Sequence, residues 1–542
     1  MGEISPLMYG RVGTDAYKAA LMTCLNNIPL VQGGTMRRPG TYWCDEVRYS
    51  SKATRGIRFK YSTVQAYVVE AGDLYFRFKK NNGPVRENGF ETTLTITGIT
   101  RAAPGVLTYT GTDPVNGDTV DIDGVVGMTE VNGQRFLVTN VNAGANTFEL
   151  GTVNTTNYGT YASGGTVYLN RLISAVSKAN PGVVTYNGPD PVNAQTVYIS
   201  GVGGMTQLNG NRYTVANVNV GAKTFELSGT DTSAYTTYTS GGLAETACMI
   251  SAITKANPGV VTYVGNDPAN GDMFDIAGVV GMTELNGRRF TVANVNTGAN
   301  TFELTDQAGN VNTTSFTTYT SGGVLSRVYT LTSPYAEADL FQVKFTQSAD
   351  VMYLFHPTYP TRKLTRRSDT KWSCTLLKYL DGPYMTTNAT TTTLTPGAAT
   401  GNAQTMTASS VVGINGGDGF KTTDVGRMIR LKEGSVWGWC RIVGWTSTTV
   451  VTVDIASTLT NVSAKTSWRL GLYSDTTGWP GAGTFHEDRL VTLGNTSEPE
   501  RGDTSKTADY ETFGPSDMDG TVADNHGVTF TMRSDDVQVI RW

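Results

Sequence analysis

The stretch Arg289-Phe290-Thr291-Val292-Ala293-Asn294-Val295 alternates with a period of two. Phe290, Val292 and Asn294 share one face and Thr291, Ala293 and Val295 the other, the spacing of a β-strand. The stretch belongs to the last of three copies of one unit. Pro104-Gly105-Val106, Pro181-Gly182-Val183 and Pro258-Gly259-Val260 open the copies 77 residues apart. The same period relates Gly127-Met128-Thr129, Gly204-Met205-Thr206 and Gly281-Met282-Thr283, and then Thr147-Phe148-Glu149-Leu150, Thr224-Phe225-Glu226-Leu227 and Thr301-Phe302-Glu303-Leu304. Only the third copy gains residues, its Gly322-Gly323 lying 81 rather than 77 positions beyond Gly241-Gly242, an insertion expected in a loop.

Between the alternating runs stands turn chemistry. Asp267-Pro268-Ala269-Asn270-Gly271-Asp272 supplies a preset φ and a glycine, and Leu285-Asn286-Gly287-Arg288 carries a hairpin signal. Five or six short strands per copy follow, enough for a small closed barrel with its own core, so the copies are expected to behave as beads on a string. Asp113, Asn116 and Asp118 could serve a calcium ion, but their counterparts Asp190, Asn193 and Gln195 keep the turn residues and lose a carboxylate. A turn is the preferred reading.

The rest of the 542-residue chain agrees with a β protein. There are 62 Gly and 19 Pro, and charged residues make up 16% against about 25% in ordinary soluble domains. A net charge of -4 argues against holding nucleic acid by counterion release. Cys24, Cys44, Cys248, Cys374 and Cys440 show no CxxC spacing and read as reduced, mostly buried thiols, with Cys248 in a linker between copies. No basic leader and no apolar run of membrane-spanning length occurs, so a cytoplasmically made protein without membrane insertion is expected. One helix is expected, capped by Thr14 or Asp15, with Tyr17, Leu21 and Leu25 at helical spacing and an end near Asn26-Asn27.

The copies resemble the small β-barrel named for the first catalytic-cysteine half-domain of ubiquitin-activating enzymes. That resemblance concerns fold and implies no activating chemistry. The flanks carry a second resemblance. Gly2-Glu3-Ile4-Ser5-Pro6, Tyr9-Gly10-Arg11, Asn27-Ile28-Pro29-Leu30-Val31-Gln32-Gly33-Gly34, Arg37-Arg38-Pro39-Gly40-Thr41, Tyr335-Ala336-Glu337-Ala338-Asp339-Leu340, Lys344-Phe345-Thr346-Gln347-Ser348-Ala349-Asp350 and His356-Pro357-Thr358-Tyr359-Pro360-Thr361-Arg362-Lys363-Leu364 are similar to the tail tubular, or nozzle, proteins of short-tailed bacteriophages. The resemblance covers about residues 1 to 90 and 328 to 385, and more loosely His486 to Arg541.

It implies a structural virion protein. Six copies would form a ring beneath the adaptor, extend the DNA-ejection channel, pass double-stranded DNA and offer docking surface to fibres or spikes. The expected fold is mainly β: a discontinuous platform (1–91 and 328–385), three inserted barrels (92–170, 171–248 and 249–327), a further β-barrel (386–475) and the start of a propeller-like region (476–542). The resemblance implies further sequence beyond Val537-Gln538-Val539-Ile540-Arg541-Trp542, so either a C-terminal part lies outside this sequence or the propeller is incomplete.

Candidate assembly residues are Gly33, Gly34, Arg37, Arg38 and Pro39 in the most family-like stretch, and the basic run Arg362, Lys363, Arg366 and Arg367. The plain reading of that run is a solvated loop or partners for Asp350 and Asp369; the alternative is contact with a neighbouring ring or DNA. Trp437, Trp439 and Trp445 could stack sugars, although core packing is the favoured reading. His356, His486 and His526 lie far apart, no nucleophile elbow occurs, and Arg501-Gly502-Asp503 is taken as chance. No enzyme activity, cofactor or metal is expected. A surface-glycan adhesin is the second reading and a tail-associated polysaccharide depolymerase the third.

Overall fold

The computed structural model describes residues 3, 9–10, 12–30, 34–41, 43–62 and 65–532. The chain forms two compact units, Met1–Glu46 and Val47–Trp542. In the first, Thr14 caps a single helical turn, Asp15–Lys18, and Asn27–Pro29 pairs antiparallel with Thr35–Arg37. The helix expected to reach Asn26 therefore stops early. Leu21 instead forms a bridge with Glu3, and Leu25 is 74% exposed, so the apolar spacing meets no packed face. Short helices in water need such a face to persist.

The second unit is built on a β-sandwich whose halves lie on either side of the repeats. Arg55–Lys60, Ala66–Gly72 and Tyr75–Lys80 form one antiparallel sheet, and Thr330–Thr332, from beyond the repeats, completes it by pairing with Tyr75–Arg77. Lys344–Ser348, Val351–His356, Tyr359–Ser368 and Lys371–Leu376 form the facing sheet. Alternation places Ile57, Phe59, Tyr67 and Val69 inside, against Met352, Leu354, Leu364 and Trp372. Trp372 is the centrepiece, stacked on Phe78 at 4.0 Å and met edge-on by Phe59 at 4.7 Å.

Each repeat is a ring of six antiparallel strands. The first barrel runs from Thr92–Ile99 to Ser163–Asn170, the second from Leu172–Val176 to Leu243–Thr246, and the third from Cys248–Ile253 to Ser321–Val328. The third closes through Cys248↔Leu325, so Cys248 begins a strand and is fully buried rather than lying in a linker. The extra residues of this copy form a small hairpin, Gly309–Asn310 against Thr301–Asp306, rather than an open loop.

The Gly-Met-Thr repeat has a steric cause. Gly127 has φ +91°, and a Cβ there would sit 2.1 Å from the Thr160 carbonyl; Gly204 and Gly281 meet Thr237 and Thr318 in the same way. The following Met128, Met205 and Met282 are fully buried. The carboxylates weighed for calcium serve turns. Tyr109 donates to Asp113 at 2.8 Å, Val115 N–H to Asp118 at 2.8 Å and Val141 N–H to Asn116 at 2.9 Å. The second copy repeats this with Asp190, Gln195 and Asn193.

Residues beyond 386 form a six-stranded sheet that curls without closing, from Leu394–Pro396 at one edge to Trp468–Leu470 at the other. The further β-barrel expected here takes the form of a curled half-barrel around Met406, Ile429, Leu431, Cys440, Ile442 and Val453. Ala482–His486, Arg489–Leu493, Arg501–Thr504 and Thr529–Thr531 follow as an antiparallel meander. The last ten residues, 533–542, lie outside the described ones, as does Gly33.

Candidate functional site

The barrels are not independent beads. Charged side chains tie them to the sandwich, and the attachment differs between copies. Asp121, in the first barrel, stands opposite Arg135 across an antiparallel pair. Arg135 grips its carboxylate with a two-pronged fork, Nε to Oδ1 and Nη2 to Oδ2, both at 3.0 Å. Arg367, from the Tyr359–Ser368 strand of the sandwich, donates to the same Oδ1 at 2.9 Å. Asp121 is 3% exposed at its side chain. Burial alone would raise its pKa, but the two guanidinium groups outweigh it and hold the carboxyl below its usual range.

The third copy repeats the device. Asp275 faces Arg289, which donates to it at 2.7 and 3.0 Å, and Arg86, from the strand leading out of the sandwich, takes the outer role. The second copy has Tyr198 at this position, and Arg212 lies 5.6 Å from its ring without a carboxylate to bind. Two of the three barrels are therefore latched through an aspartate, buried in the first and partly buried in the third, and the middle one is not.

A second group of charges lies where the chain leaves the sandwich. Lys371 pairs with Glu91, and Arg327 binds Glu87 at 2.6 Å and Asp272 at 3.3 Å. Glu245, from the second barrel, lines the same cavity of about 340 Å³ with Glu87, Glu91, Tyr168, Arg327 and Lys371. Burial and the neighbouring Glu91 push Glu245 up to about 8. Burial pulls Lys371 down, but Glu91, Glu245 and Asp121 more than offset it and its net shift is upward. A larger adjoining cavity of about 690 Å³ is lined by Asp121, Arg367, Arg327, Trp372 and Cys374. Farther along, Arg101 pairs with Asp454 and Lys378 with Glu130 at 2.7 Å, fastening the first barrel to the C-terminal half as well.

The basic run belongs to a strand, not a loop. Arg362 donates to the Cys374 carbonyl at 3.2 Å, and Lys363 pairs with Glu511. Arg366 binds Tyr67 Oη at 3.0 Å and Asp369 at 3.2 Å, with Asp350 at 4.0 Å and the Tyr61 ring 3.8 Å away. Every member is engaged within this chain. Arg37 lies exposed in the small N-terminal sheet, Arg38 N–H donates to the Asn26 carbonyl at 2.8 Å, Gly34 adopts φ +79° beside it, and Pro39 is exposed.

The tryptophans are not core. In Val436–Ser447 the buried positions are Gly438, Cys440 and Ile442, so Trp437 and Trp439 stand half-buried on the outer face. Trp445, past a register shift, is 41% exposed, with its indole N–H on the Phe420 carbonyl at 2.8 Å. Trp437 and Trp439 share the Arg430 guanidinium; Trp445 is not part of that group. Arg501 and Asp503 are buried as an ion pair at 2.9 Å, so Arg501-Gly502-Asp503 is internal. Among the described cysteines, Cys248 and Cys440 are buried, Cys24 and Cys374 half-buried and Cys44 exposed.

The three barrels share one strand order, with six strands each. They match the ubiquitin-activating enzyme E1 FCCH domain over residues 104–171, 179–247 and 256–329. No curated protein matches the chain. The FCCH match concerns the repeats and by itself indicates no catalysis. Among the described residues, no group of three or more His, Cys, Asp or Glu side chains is arranged to hold a metal ion, and no helix is long and apolar enough to cross a membrane.

The FCCH-like barrels also show what reading the run 362–367 alone misses. Asp121 and Asp275 stand in register where the middle copy has Tyr198, a difference visible once the copies are aligned. Their outer partners are not visible that way, because Arg367 lies 246 residues from Asp121.

Proposed function

We propose that the protein is a structural subunit of the tail nozzle of a short-tailed bacteriophage. In this reading copies assemble as a ring that continues the DNA-ejection channel, with the three barrels carried as decoration. The observation that carries it is the pairing of Thr330–Thr332 with Tyr75–Arg77. It makes one sandwich of the two flanking segments that resemble nozzle proteins and leaves the barrels as an insertion between them.

The N-terminal unit supports self-assembly. Val12, Met22, Leu25 and Trp43 are 61%, 67%, 74% and 72% exposed, a density of bare apolar side chains that suits burial against another subunit. The engaged state of Arg362, Lys363, Arg366 and Arg367 fits a conduit that passes DNA without gripping it. Gold-labelled antibody against the barrels, viewed by electron microscopy on intact virions, tests the reading. Label ringing the tail below the capsid is expected. Label on distal fibres, or on host cells without virions, would replace it with the adhesin reading, which the outward-facing Trp437 and Trp439 favour.

A further inference from the structure

The outer face of the curled sheet collects positive charge that no carboxylate pairs with directly among the described residues. Met428–Glu433 pairs with Val436–Ser447 so that Arg430 lies opposite Trp439 and Lys432 opposite Trp437. On its other side Arg430 lies opposite Arg469 of Trp468–Leu470. Three cations therefore surround one indole: Arg430, Arg469 and Lys432 are 5.1, 5.3 and 5.4 Å from the Trp437 ring centre. Arg441 extends the same row of the sheet beside Trp439.

The partners of these groups are neutral. Arg430, 1% exposed, donates to the Ser516 carbonyl at 2.8 Å, Ser516 Oγ at 2.9 Å and the Asp517 carbonyl at 3.3 Å, and its buried Nε has no partner. Arg469 donates to Thr387 Oγ1 at 2.7 Å, and Arg441 to the carbonyls of Gly426 and Tyr379. The nearby acids are committed elsewhere. Glu433 pairs with Lys465, Asp517 with His526 and Lys506, and Asp519 accepts from Thr521 N–H. Asp381, whose field reaches Arg430, accepts from Tyr384 and is itself raised by burial. Burial first, and then the fields of Arg430 and Arg501, lower the pKa of Arg469. A guanidinium held out of water without a carboxylate is unfavourable, and the seam shows how this chain otherwise supplies one.

We infer that this face binds an acidic polysaccharide, its uronate carboxylates held by Lys432 and Arg469, with buried Arg430 adding its positive field behind the Trp437 ring, and its sugar rings resting against Trp437 and Trp439. Guanidinium forks match carboxylates in shape, and the Lys432, Arg469, Trp437 and Trp439 side chains are half-buried on adjacent strands, within reach of a ligand. The charge density decides against nucleic acid. Double-stranded DNA presents a charge about every 1.7 Å and is gripped by roughly 6 to 10 cations, more than this face offers, on a chain of net charge -4. The inference is independent of ring assembly.

Affinity electrophoresis of the full chain through gels containing polygalacturonate tests it, with dextran gels as the neutral control. Retardation by polygalacturonate alone is expected. Lys432→Ala and Arg469→Ala should each weaken it about tenfold, the effect of losing one charged contact, while Arg469→Lys should retain part of it. Lys432→Gln provides a second variant if Arg469→Ala fails to fold, since Lys432 makes no side-chain hydrogen bond among the described residues. Equal retardation by dextran, no retardation at low salt, or retardation unchanged in the Lys432 variants would overturn the inference. So would displacement of polygalacturonate by a single-stranded oligonucleotide at lower concentration than by oligogalacturonate.

Discussion

Replacing Asp121 by Asn should loosen the first barrel from the sandwich while leaving the barrel itself folded. The side chain keeps its shape but loses the charge that Arg135 and Arg367 share. Removing one partner of a fully buried pair costs about 3–5 kcal/mol. Here the carboxylate is 3% exposed, but Arg135 and Arg367 are 43% and 33% exposed and can recover some hydration. The expected loss is therefore nearer ~2 kcal/mol. Part belongs to Arg135 inside the barrel and part to Arg367 across the seam, and a double-mutant cycle with Arg367→Gln separates them. The coupling should be about 1 kcal/mol, read from native-state hydrogen exchange of amides in Tyr359–Ser368 and Thr119–Val126. A multi-domain chain offers no single melting free energy, which makes the local probe necessary. The same substitution at Asp275 should behave alike, with Arg86 as the outer partner. Because the Asp121 carboxyl is held below its usual range, its stabilisation is present at neutral pH and vanishes only as pH falls through that lowered value. A coupling within about 0.3 kcal/mol of zero would refute the latch.

Three further outcomes are expected. Glu245 is raised from 4.5 to about 8, so the folded state holds its proton more tightly than the unfolded chain and docking of the middle barrel should weaken as pH rises between those values. Glu245→Gln should flatten that dependence in limited proteolysis of the barrel linkers, and an unchanged slope would show that Glu245 does not titrate there. Gly204→Ala places a Cβ 2.1 Å from the Thr237 carbonyl at φ +77° and should destabilise the second barrel by more than ~2 kcal/mol, measured by urea unfolding of that barrel's amides; a neutral change would mean the turn relaxes freely. Deleting residues 92–326 should leave a sandwich that melts cooperatively, since its two sheets and Trp372 core come from outside the deletion, and a non-cooperative melt in calorimetry would show that the barrels are required for folding.

Much of the fold was legible because its causes are local. Alternation in Arg289-Phe290-Thr291-Val292 specifies a strand, and the Gly-Met-Thr and Asn-Gly steps specify turns whose positive φ other residues resist. The helix expected after Thr14 fails for the opposite reason, since its spacing is helical but, among the described residues, Leu25 stays 74% exposed. The tryptophans were misplaced for a related reason. Bulk and apolarity suggest a core, yet in an alternating strand the face is decided by register, and Cys440 and Ile442 occupy the inside.

By itself, then, the sequence determined the β character and the three copies with their 77-residue period, because these follow from alternation, turn chemistry and self-similarity along the chain, whereas the insertion between two flanking halves came from a resemblance until Thr330–Thr332 was seen paired with Tyr75–Arg77. Tertiary structure decided where the charges go. Arg367 could have been a solvated side chain, a ring contact or a hand on DNA, and it became the latch of the first barrel because folding brought it 2.9 Å from an aspartate 246 residues away. Arg430, Lys432 and Arg469 could equally have found carboxylates, and among the described residues none forms an ion pair with them. Coulomb energies depend on distance in space and on exposure to water, and neither is written in the order of residues along a chain.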